Sequence, residues 1–338
     1  MAEHFAASPT WEVTTASRRG PLEDLQSVDG DVPSHVSVDL LDAKAASDAF
    51  AQSSHITHLV YAAYTERPTM AATTAPNVAM LANTLDALAK AGAELEHVIL
   101  IGGGKSYGEH LGPYKIPAKE HHPRLLGPIF YNDQEDLLRE RSEQLGYGWT
   151  VLRPDAVIGL STGSPMNLLT CIAVFASLSK AEGVPLRFPG KPGTWTALHQ
   201  ITDAALVARA SEWALTSPAA NREIFNVTNG DLFRWQDLWE DIATFFDMPT
   251  AAPQPMPLTE QMSDKEAAWD RLVNQHGLRR TPWSQIASWP FAEAVFDMDF
   301  NLVQSTIKIR KAGFTDCEDS HESFLRNLSR LRKERFIP

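Results

Sequence analysis

The sequence predicts an α/β fold in which a doubly wound parallel sheet carries a second, smaller and mostly helical cap. Three observations support this prediction. In the first half of the 338-residue chain, short apolar strands alternate with amphipathic segments of helical length. These strands are apolar along their whole length, which is typical of a parallel sheet covered on both faces. The second half is mainly helical and holds seven of the nine tryptophans, from Trp195 onward.

The strands of the predicted sheet are short runs of apolar and β-branched residues. In the first half of the chain they cover residues 11–16, 36–38, 57–61, 97–101 and 150–153. A helix is predicted over residues 75–91, because apolar residues from Val78 to Leu88 recur there at spacings of three and four. A second helix is predicted over residues 131–144.

The second half predicts mainly helices, with two further strands. The helices cover residues 166–181, 202–215, 235–246, 259–274 and 317–333, and the strands cover residues 185–188 and 223–228. We therefore assign residues 1–159 and 196–229 to the sheet domain and residues 160–195 and 230–338 to the cap. The late tryptophans fit either the core of the cap or the wall of an apolar pocket.

The composition excludes several classes of protein. The chain has 42 acidic and 30 basic residues and a formal net charge of −12, which argues against a nucleic-acid surface. The longest run of low charge, residues 166–179, is too short to cross a bilayer, and no targeting segment opens the chain. Cys171 and Cys317 have no C-x-x-C spacing, so we expect a reducing compartment and a cytoplasmic location. The histidines form no metal-ligand motif, so no metal is expected.

If the predicted fold is right, we expect the chain to lack the first strand of a doubly wound domain. In such folds the first strand lies in the middle of the sheet, and a Gly-rich turn that binds phosphate follows it. Here the chain begins MAEHFAASP, which is typical of the end of an amphipathic helix, and no GxGxxG occurs in its first half. A missing central strand would leave buried backbone groups unpaired, at about 1–3 kcal/mol each. We therefore expect the start to be truncated relative to the ancestral domain.

A glycine run follows the strand at 97–101, and its sequence is Gly102-Gly103-Gly104-Lys105-Ser106. It is not a phosphate-binding P-loop, because Ile99 occupies the position where that motif has its first glycine. Two interpretations remain. The run is either a flexible turn with a solvated lysine, or it places Lys105 at the carboxyl end of a parallel strand, where doubly wound folds bind ligands.

Tyr131 is a second candidate for chemistry. In the common short-chain dehydrogenase motif Tyr-x-x-x-Lys, an ammonium one helical turn after the tyrosine lowers the pKa of the phenol. Here the fourth residue after Tyr131 is Glu135, an acid in the place of the cation. Tyr131 is therefore either a packing aromatic or the partner of Lys105, if residues 104–128 fold the lysine back to it.

Several stretches together resemble one known family. They are THLVYAAY, GGKSYG, IFYNDQEDLL, WTVLRPDAVIGLSTGSPMNLL, LRFPG, EIFNVTNGDLFRWQDLW and a final IP. In this order, from Trp11 to Pro338, they resemble the progesterone 5β-reductase/iridoid synthase-like (PRISE) branch of the extended short-chain dehydrogenases/reductases. The resemblance implies a Rossmann domain with a substrate-binding cap. It also implies Lys105 and Tyr131 as the catalytic pair, since that family places its lysine ahead of its tyrosine.

The resemblance and the strand positions together predict NADPH as the cofactor. Ser17, Arg18 and Arg19 follow the strand at 11–16, where two arginines and no acid suit a ribose 2′-phosphate. The alternative is that these arginines are simply solvated. The remaining positions implied to contact the cofactor follow the ends of later strands, and they are Asp39, Leu40, Ala62, Ala63, Tyr64, Pro154, Ala156 and Val157. Ala63 and Tyr64 stand where the family usually has Thr-Trp.

These residues predict an NADPH-dependent reductase of activated C=C bonds in enones or enals. Tyr131 would hydrogen-bond the carbonyl oxygen and Lys105 would stabilise its negative charge. We expect Met166, Asn167 and Trp195 to line an apolar substrate pocket. The sequence is compatible with a homodimer but does not determine the oligomeric state. Two rival functions also remain open: a carbonyl reductase or sugar-nucleotide epimerase of the extended type, and a redox-silent cyclase or binding protein on the same scaffold.

Overall fold

The computed structural model describes residues 1–21, 32–161 and 166–338 of the chain. Its strands are β1 (Thr14–Ser17), β2 (Ser34–Ser37), β3 (His58–Tyr61), β4 (His97–Ile101), β5 (Gly148–Pro154), β6 (Val157–Ile158), β7 (Leu186–Arg187), β8 (Thr202–Asp203), β9 (Glu223–Val227) and β10 (Thr250–Ala251). Every strand predicted from the sequence is present, with bounds that differ by a few residues at most.

The main sheet has the strand order β3-β4-β5-β9, and all of its pairs are parallel. Strands β1 and β2 form a separate parallel pair, as do β6 with β8 and β7 with β10. The predicted parallel α/β fold is therefore confirmed. In the described part of the chain β1 and β3 share no ladder, and the strand expected between them stays a prediction.

The helices lie between and after the strands. They are α1 (Ala2–Ala6), α2 (Ala43–Ala49), α3 (Met70–Lys90), α4 (Phe130–Leu145), α5 (Leu168–Ala181), α6 (Pro192–Thr196), α7 (Ala204–Thr216), α8 (Trp235–Phe245), α9 (Leu258–Gln261), α10 (Glu266–His276), α11 (Trp283–Ile286), α12 (Trp289–Phe296), α13 (Ile307–Lys311) and α14 (Ser320–Lys333). Two short 3₁₀ helices, Gly104–Tyr107 and Glu109–Leu111, follow β4.

The main sheet is covered on both faces, as its apolar strands predict. Along β4, Val98 and Leu100 pack with apolar residues of α3 and α4 on one face. Ile99, between them, packs with α7 on the other face. This alternation follows from the two-residue period of a strand. It explains why β4 is apolar at every position.

The cap has its own apolar core, which extends over α5, α8, α10, α12 and α14. Trp235, Trp239 and Trp269 are almost completely buried in it. For these three tryptophans the interpretation as core residues is confirmed, whereas Trp195 is only half-buried and Trp213 packs on the core of the main sheet. One part of the predicted cap packs elsewhere: Ile309 and Phe314 lie in the core of the main sheet, so the segment around α13 belongs with the sheet domain.

Two predicted helices have different limits in the structure. The helix predicted over 259–274 is two helices, α9 and α10, because the chain turns at Ser263, whose hydroxyl donates to the Glu260 carbonyl. The helix predicted over 202–215 begins at Ala204, because Asp203 caps it by accepting from the Ala205 N–H.

Two findings bear on the environment of the protein. Among the described residues, none of the helices combines the length and the apolar character needed to traverse a bilayer. Cys171 is buried and Cys317 is exposed, and both are free thiols.

Asp203 joins the cap to the sheet domain. The carboxylate accepts hydrogen bonds from Ser323, Arg326 and Asn327 of α14, at 2.5, 2.7 and 2.9 Å. Burial alone would raise the pKa of Asp203, but these bonds and the one from the Ala205 N–H hold it below its usual value.

We predict that Asp203→Ala lowers the free energy of unfolding by about 2–3 kcal/mol, because hydrogen bonds to a buried charge are lost together. The lowered pKa means that this stabilisation is complete above about pH 4, near the pKa of an unfolded Asp, and disappears as the pH falls through the folded value. Urea unfolding at pH 7 and in acid measures both effects. An equal loss from Asp316→Ala, an exposed partner of Arg209, would contradict the prediction.

Candidate active site

The turn after β4 lies against the start of α4, and each of these two segments carries one of the predicted catalytic residues. Lys105 lies in the 3₁₀ helix Gly104–Tyr107, and Tyr131 is the second residue of α4. A Cβ placed on Gly103 would lie 3.1 Å from the Tyr131 hydroxyl. The phenol therefore lies against the backbone two positions before Lys105, at the carboxyl end of β4.

The glycine run is a packed turn rather than a flexible one. Gly103 has extended backbone, so its lack of a side chain serves the close approach of Tyr131. A Cβ on Gly104 would lie 2.1 Å from Oε2 of Glu109 and 2.7 Å from Nε2 of Gln304. A side chain on Gly104 would require Glu109 and Gln304 to move, and one on Gly103 would press on the Tyr131 ring. The packing of the run argues against a flexible turn, and a role of Lys105 in binding a ligand at the end of the strand stays a prediction.

Tyr131 is held in its neutral form. Burial raises the pKa of Tyr131, and the nearby Tyr64 and Glu109 raise it further. Its ring packs on Phe130 with centroids 4.1 Å apart, and Phe130 contacts Tyr64 at 5.4 Å. At neutral pH the phenol is therefore available as a hydrogen-bond donor.

Glu135 explains why the fourth residue after Tyr131 is an acid. Its side chain is 1% exposed, and its Oε1 accepts hydrogen bonds from Nε and Nη2 of Arg153 at 2.9 and 2.6 Å. Its Oε2 accepts from Arg124 at 3.1 Å. Arg153 is itself buried on β5. Glu135 thus fastens α4 to the central sheet, one helical turn beyond the phenol.

A second group of contacts fixes the loop that follows Lys105. The Arg153 guanidinium lies over the ring of Tyr107, 5.1 Å from its centroid, and the Tyr107 hydroxyl donates to Asn226 Oδ1 at 2.5 Å. Nδ2 of Asn226 donates to the carbonyls of Ala118 and Ser305 at 3.0 and 3.1 Å. The loop is therefore tied to β9 and to the segment before α13.

The residues predicted to bind the adenosine end of the cofactor surround the ends of β1 and β2. Ser17 ends β1 and donates to the Arg19 carbonyl at 2.9 Å, while Arg18 and Arg19 are exposed. Asp39 is exposed just after β2, and its Oδ1 accepts from the Leu41 N–H at 3.0 Å. Two exposed guanidinium groups beside two strand ends fit a ribose 2′-phosphate.

The residues predicted for the nicotinamide end surround the ends of β3 and β5. Ala62, Ala63 and Tyr64 directly follow β3, and Pro154 ends β5. Ala156 is half-buried and Val157 is exposed, at the start of β6. These positions lie at the carboxyl ends of strands of one parallel sheet, the edge at which doubly wound folds bind ligands, and their contact with a nicotinamide stays a prediction. Leu40, which was predicted at the adenosine end, accepts a hydrogen bond at its backbone carbonyl oxygen from Nδ2 of Asn83, at 2.8 Å.

The residues predicted to line the substrate pocket have different surroundings. Asn167 is almost fully buried and caps α5: it donates to the Gly159 carbonyl at 2.7 Å and accepts from the Leu169 N–H at 3.1 Å. Capping explains Asn167 without a ligand. Trp195 is half-buried and contacts Phe188 of the cap core, with centroids 5.1 Å apart. Met166 is half-buried next to Asn167. Their contact with substrate stays a prediction.

Some residues around the site were not recognised from the sequence. Glu109 and Gln304 pack on Gly104, and Asp155 is buried between Pro154 and Ala156. The one sequence signal for them was the adjacent pair Gly103-Gly104, since consecutive glycines in a buried turn indicate close approach of other atoms. The sequence near these glycines does not show which distant residues approach them.

The chain is similar to a known family and to characterised enzymes. Residues 13–338 match the family model described as "PRISE-like Rossmann-fold domain". The chain is 32% identical to (S)-8-oxocitronellyl enol synthase of Camptotheca acuminata over 315 residues, which is 90% of this chain and 80% of that one. It is 29% identical to 3-oxo-Delta(4,5)-steroid 5-beta-reductase of Arabidopsis thaliana over 316 residues, again 90% and 80% of the two chains.

Solved structures show the same fold at low identity. UDP-glucose 4-epimerase of Thermotoga maritima, solved with UDP-glucose, aligns with a TM-score of 0.65 at 15% identity, over 96% of this chain and 91% of that one. RMD of Pseudomonas aeruginosa, solved with NADPH, aligns with a TM-score of 0.61 at 16% identity, over 86% of this chain and 85% of that one. These likenesses concern the fold alone.

We predict that Glu135→Ala lowers the free energy of unfolding by about 3–5 kcal/mol, because it leaves the Arg153 guanidinium buried without its counter-charge. The matched control is Asp136→Ala on the same helix, whose carboxylate is 55% exposed and pairs with Arg124 at 2.7 Å. That exposed pair contributes less than about 1 kcal/mol. Urea unfolding of both variants tests the difference, and similar losses would contradict the role of Glu135.

Proposed function

Because this chain belongs to the PRISE-like Rossmann-fold domain family, we propose that it is an NADPH-dependent reductase of the activated C=C bond of enones or enals. The observation that carries the proposal is the neutral Tyr131 phenol lying on Gly103 at the carboxyl end of β4. The relatives named an enol synthase and a steroid 5-beta-reductase support the same class of chemistry.

The proposed reaction needs a group that stabilises negative charge on the carbonyl oxygen of the substrate. NADPH, when bound, would supply the hydride that adds to the β-carbon, and a proton from solvent would add to the α-carbon to complete the reduction. Tyr131 would donate a hydrogen bond to the carbonyl oxygen as its negative charge grows, and a preorganised donor of this kind contributes about 3–4 kcal/mol. Lys105 would place a positive charge on the same turn. Its position two residues from Gly103 supports this role.

We infer that the adenosine end of NADPH binds at Ser17, Arg18 and Arg19. The two arginines are exposed beyond β1, and guanidinium groups bind phosphate through charge-assisted hydrogen bonds. Asp39 and Leu40 would contact the adenine. The nicotinamide would bind between the ends of β3 and β5, at Ala62, Ala63, Tyr64, Pro154, Ala156 and Val157.

The proposed substrate is a small apolar enone or a related carbonyl compound. The cap contributes an extensive apolar core, in which the Phe188 ring contacts Trp195 and Phe296 with centroids 5.1 and 5.0 Å apart. A substrate with a charged diphosphate would need basic side chains on this side of the site. We also infer a cytoplasmic location, which the two free thiols favour.

We predict that Tyr131→Phe lowers the turnover number by more than tenfold and changes the affinity for NADPH little, because the variant loses only the donor to the carbonyl oxygen. The matched control is Tyr61→Phe, since the buried Tyr61 hydroxyl has no partner among the described residues. NADPH consumption with a panel of small, monoterpene and steroidal enones gives the turnover, and NADPH fluorescence gives the affinity. Unchanged turnover of Tyr131→Phe would refute its role.

We predict that the double variant Arg18→Ala/Arg19→Ala binds NADPH at least tenfold more weakly and binds NADH as before, because only NADPH carries the 2′-phosphate. The measurement is a fluorescence titration with each nucleotide. If the affinities for NADPH and NADH fell equally, the 2′-phosphate would not bind at these two arginines. If the unsubstituted protein bound neither nucleotide, the redox-silent alternative would replace the reductase.

A further inference from the structure

A cavity of about 310 Å³ lies in the cap, between the C-terminal part of α5, strand β7 and the segment around α9. Cavities that hold small molecules begin at about 300 Å³. Along α5 it is lined by Phe175, Leu178, Ser179 and Glu182, which follow one another at spacings of three, one and three residues. Residues at this spacing share one face of a helix, so one face of α5 forms a wall of this cap cavity.

The cap cavity is separate from the proposed substrate site. Asn167, next to Met166, caps the N-terminus of α5 and donates to the Gly159 carbonyl beyond β6. The cavity lies at the other end of the same helix, at Leu178. With a rise of about 1.5 Å per residue, Leu178 is about 16 Å further along the helix than Asn167.

Strand β7 separates the cap cavity from the core of the cap. Leu186 and Phe188 are completely buried in that core, where Phe188 contacts Trp195. Arg187, between them in the sequence, lines the cavity. Because successive side chains of a strand point to opposite faces, Arg187 is directed away from the core and from Trp195.

The floor of the cap cavity is apolar. It contains the buried side chains of Phe175, Leu178 and Met262, together with the half-buried Met256. Methionine side chains are unbranched and polarizable, so they adapt to the shape of an apolar ligand. This floor therefore suits a flexible hydrocarbon chain.

Arg187 adds a positive charge beside the apolar floor. Its Nη1 donates to the Ala252 carbonyl at 2.8 Å, and it forms no ion pair with any residue that the structure describes. The other cation of the lining, Lys265, is bound to Asp264 at 2.6 Å. Glu182 lies exposed at the rim. A guanidinium has five N–H donors, so Arg187 retains donors for a carboxylate.

We propose that the cap cavity is a second ligand site, which binds a small apolar monocarboxylate of the medium-chain fatty acid type. The hydrocarbon chain packs on Phe175, Leu178 and Met262, and the carboxylate binds the Arg187 guanidinium. A neutral apolar molecule would leave Arg187 without a charged partner, and a ligand with several negative charges would be repelled by Glu182. The site does not depend on the proposed reductase activity.

Isothermal titration calorimetry at pH 7 with octanoate and with octan-1-ol tests the charge and the floor separately. The wild-type protein should bind octanoate at one site. Arg187→Gln should weaken octanoate binding by about tenfold or more and leave octan-1-ol binding unchanged, because only octanoate has a charged group. The matched control is Arg234→Gln, since Arg234 is an exposed arginine of the cap that also donates to a backbone carbonyl, that of Thr196 at 3.0 Å. It should bind octanoate as wild type does.

A second variant distinguishes the cap cavity from the proposed substrate site. Ser179→Trp places an indole in the cavity from a half-buried position, so it should abolish the binding of both probes while circular dichroism shows a folded protein. Octanoate binding that survives in folded Ser179→Trp would belong to another site and would overturn the proposal. So would a wild-type protein that binds no octanoate, or equal octanoate affinities of Arg187→Gln and Arg234→Gln. If Ser179→Trp does not fold, the comparison of the two arginine variants decides alone. Absence of reductase activity would refute only the proposed function.

Discussion

The ion pair between Arg153 and Glu135 is the contact on which the architecture of the site depends. Arg153 belongs to the central strand β5 and Glu135 to α4, and both are almost completely buried. Removing two charges from water is unfavourable, and here three hydrogen bonds to one carboxylate offset that cost. Because Glu135 lies one helical turn beyond Tyr131, the pair sets where the phenol lies on the sheet. The same guanidinium packs over the ring of Tyr107, and this contact also holds the loop that contains Lys105 in place.

The two glycines before Lys105 let polar groups approach the end of β4 from two sides. The Tyr131 hydroxyl lies against Gly103, and the Glu109 carboxyl group lies against Gly104. If these glycines carried side chains, a Cβ atom would stand between the backbone at the strand end and each of the two polar groups. The arrangement therefore places a phenol and a carboxyl group within electrostatic reach of each other, which is why the charge of Glu109 affects the pKa of Tyr131.

The sequence predicted local structure well and long-range partners poorly. The strand at 97–101 has the predicted bounds, and α4 differs from its prediction by one residue at each end, because apolar periodicity and capping act over a few residues. The role of Glu135 depended on Arg153, and the packing of Gly104 depended on Gln304, 200 positions later. No spacing rule connects such residues. The position of α13 on the sheet domain was missed for the same reason.

The raised pKa of Tyr131 argues against one rival reaction, sugar epimerisation, whereas a carbonyl reductase would use the same neutral phenol as a proton donor. Alcohol oxidation, as in sugar epimerisation, needs a base, so a tyrosine in that role needs a lowered pKa and a neighbouring cation. In this chain burial raises the pKa of Tyr131, and the residue one turn later is an acid already bound to Arg153. Reduction of an activated C=C bond needs a donor to the carbonyl oxygen and no base. A phenol kept neutral by its surroundings suits that reaction, and a fold shared with epimerases does not alter this chemical difference.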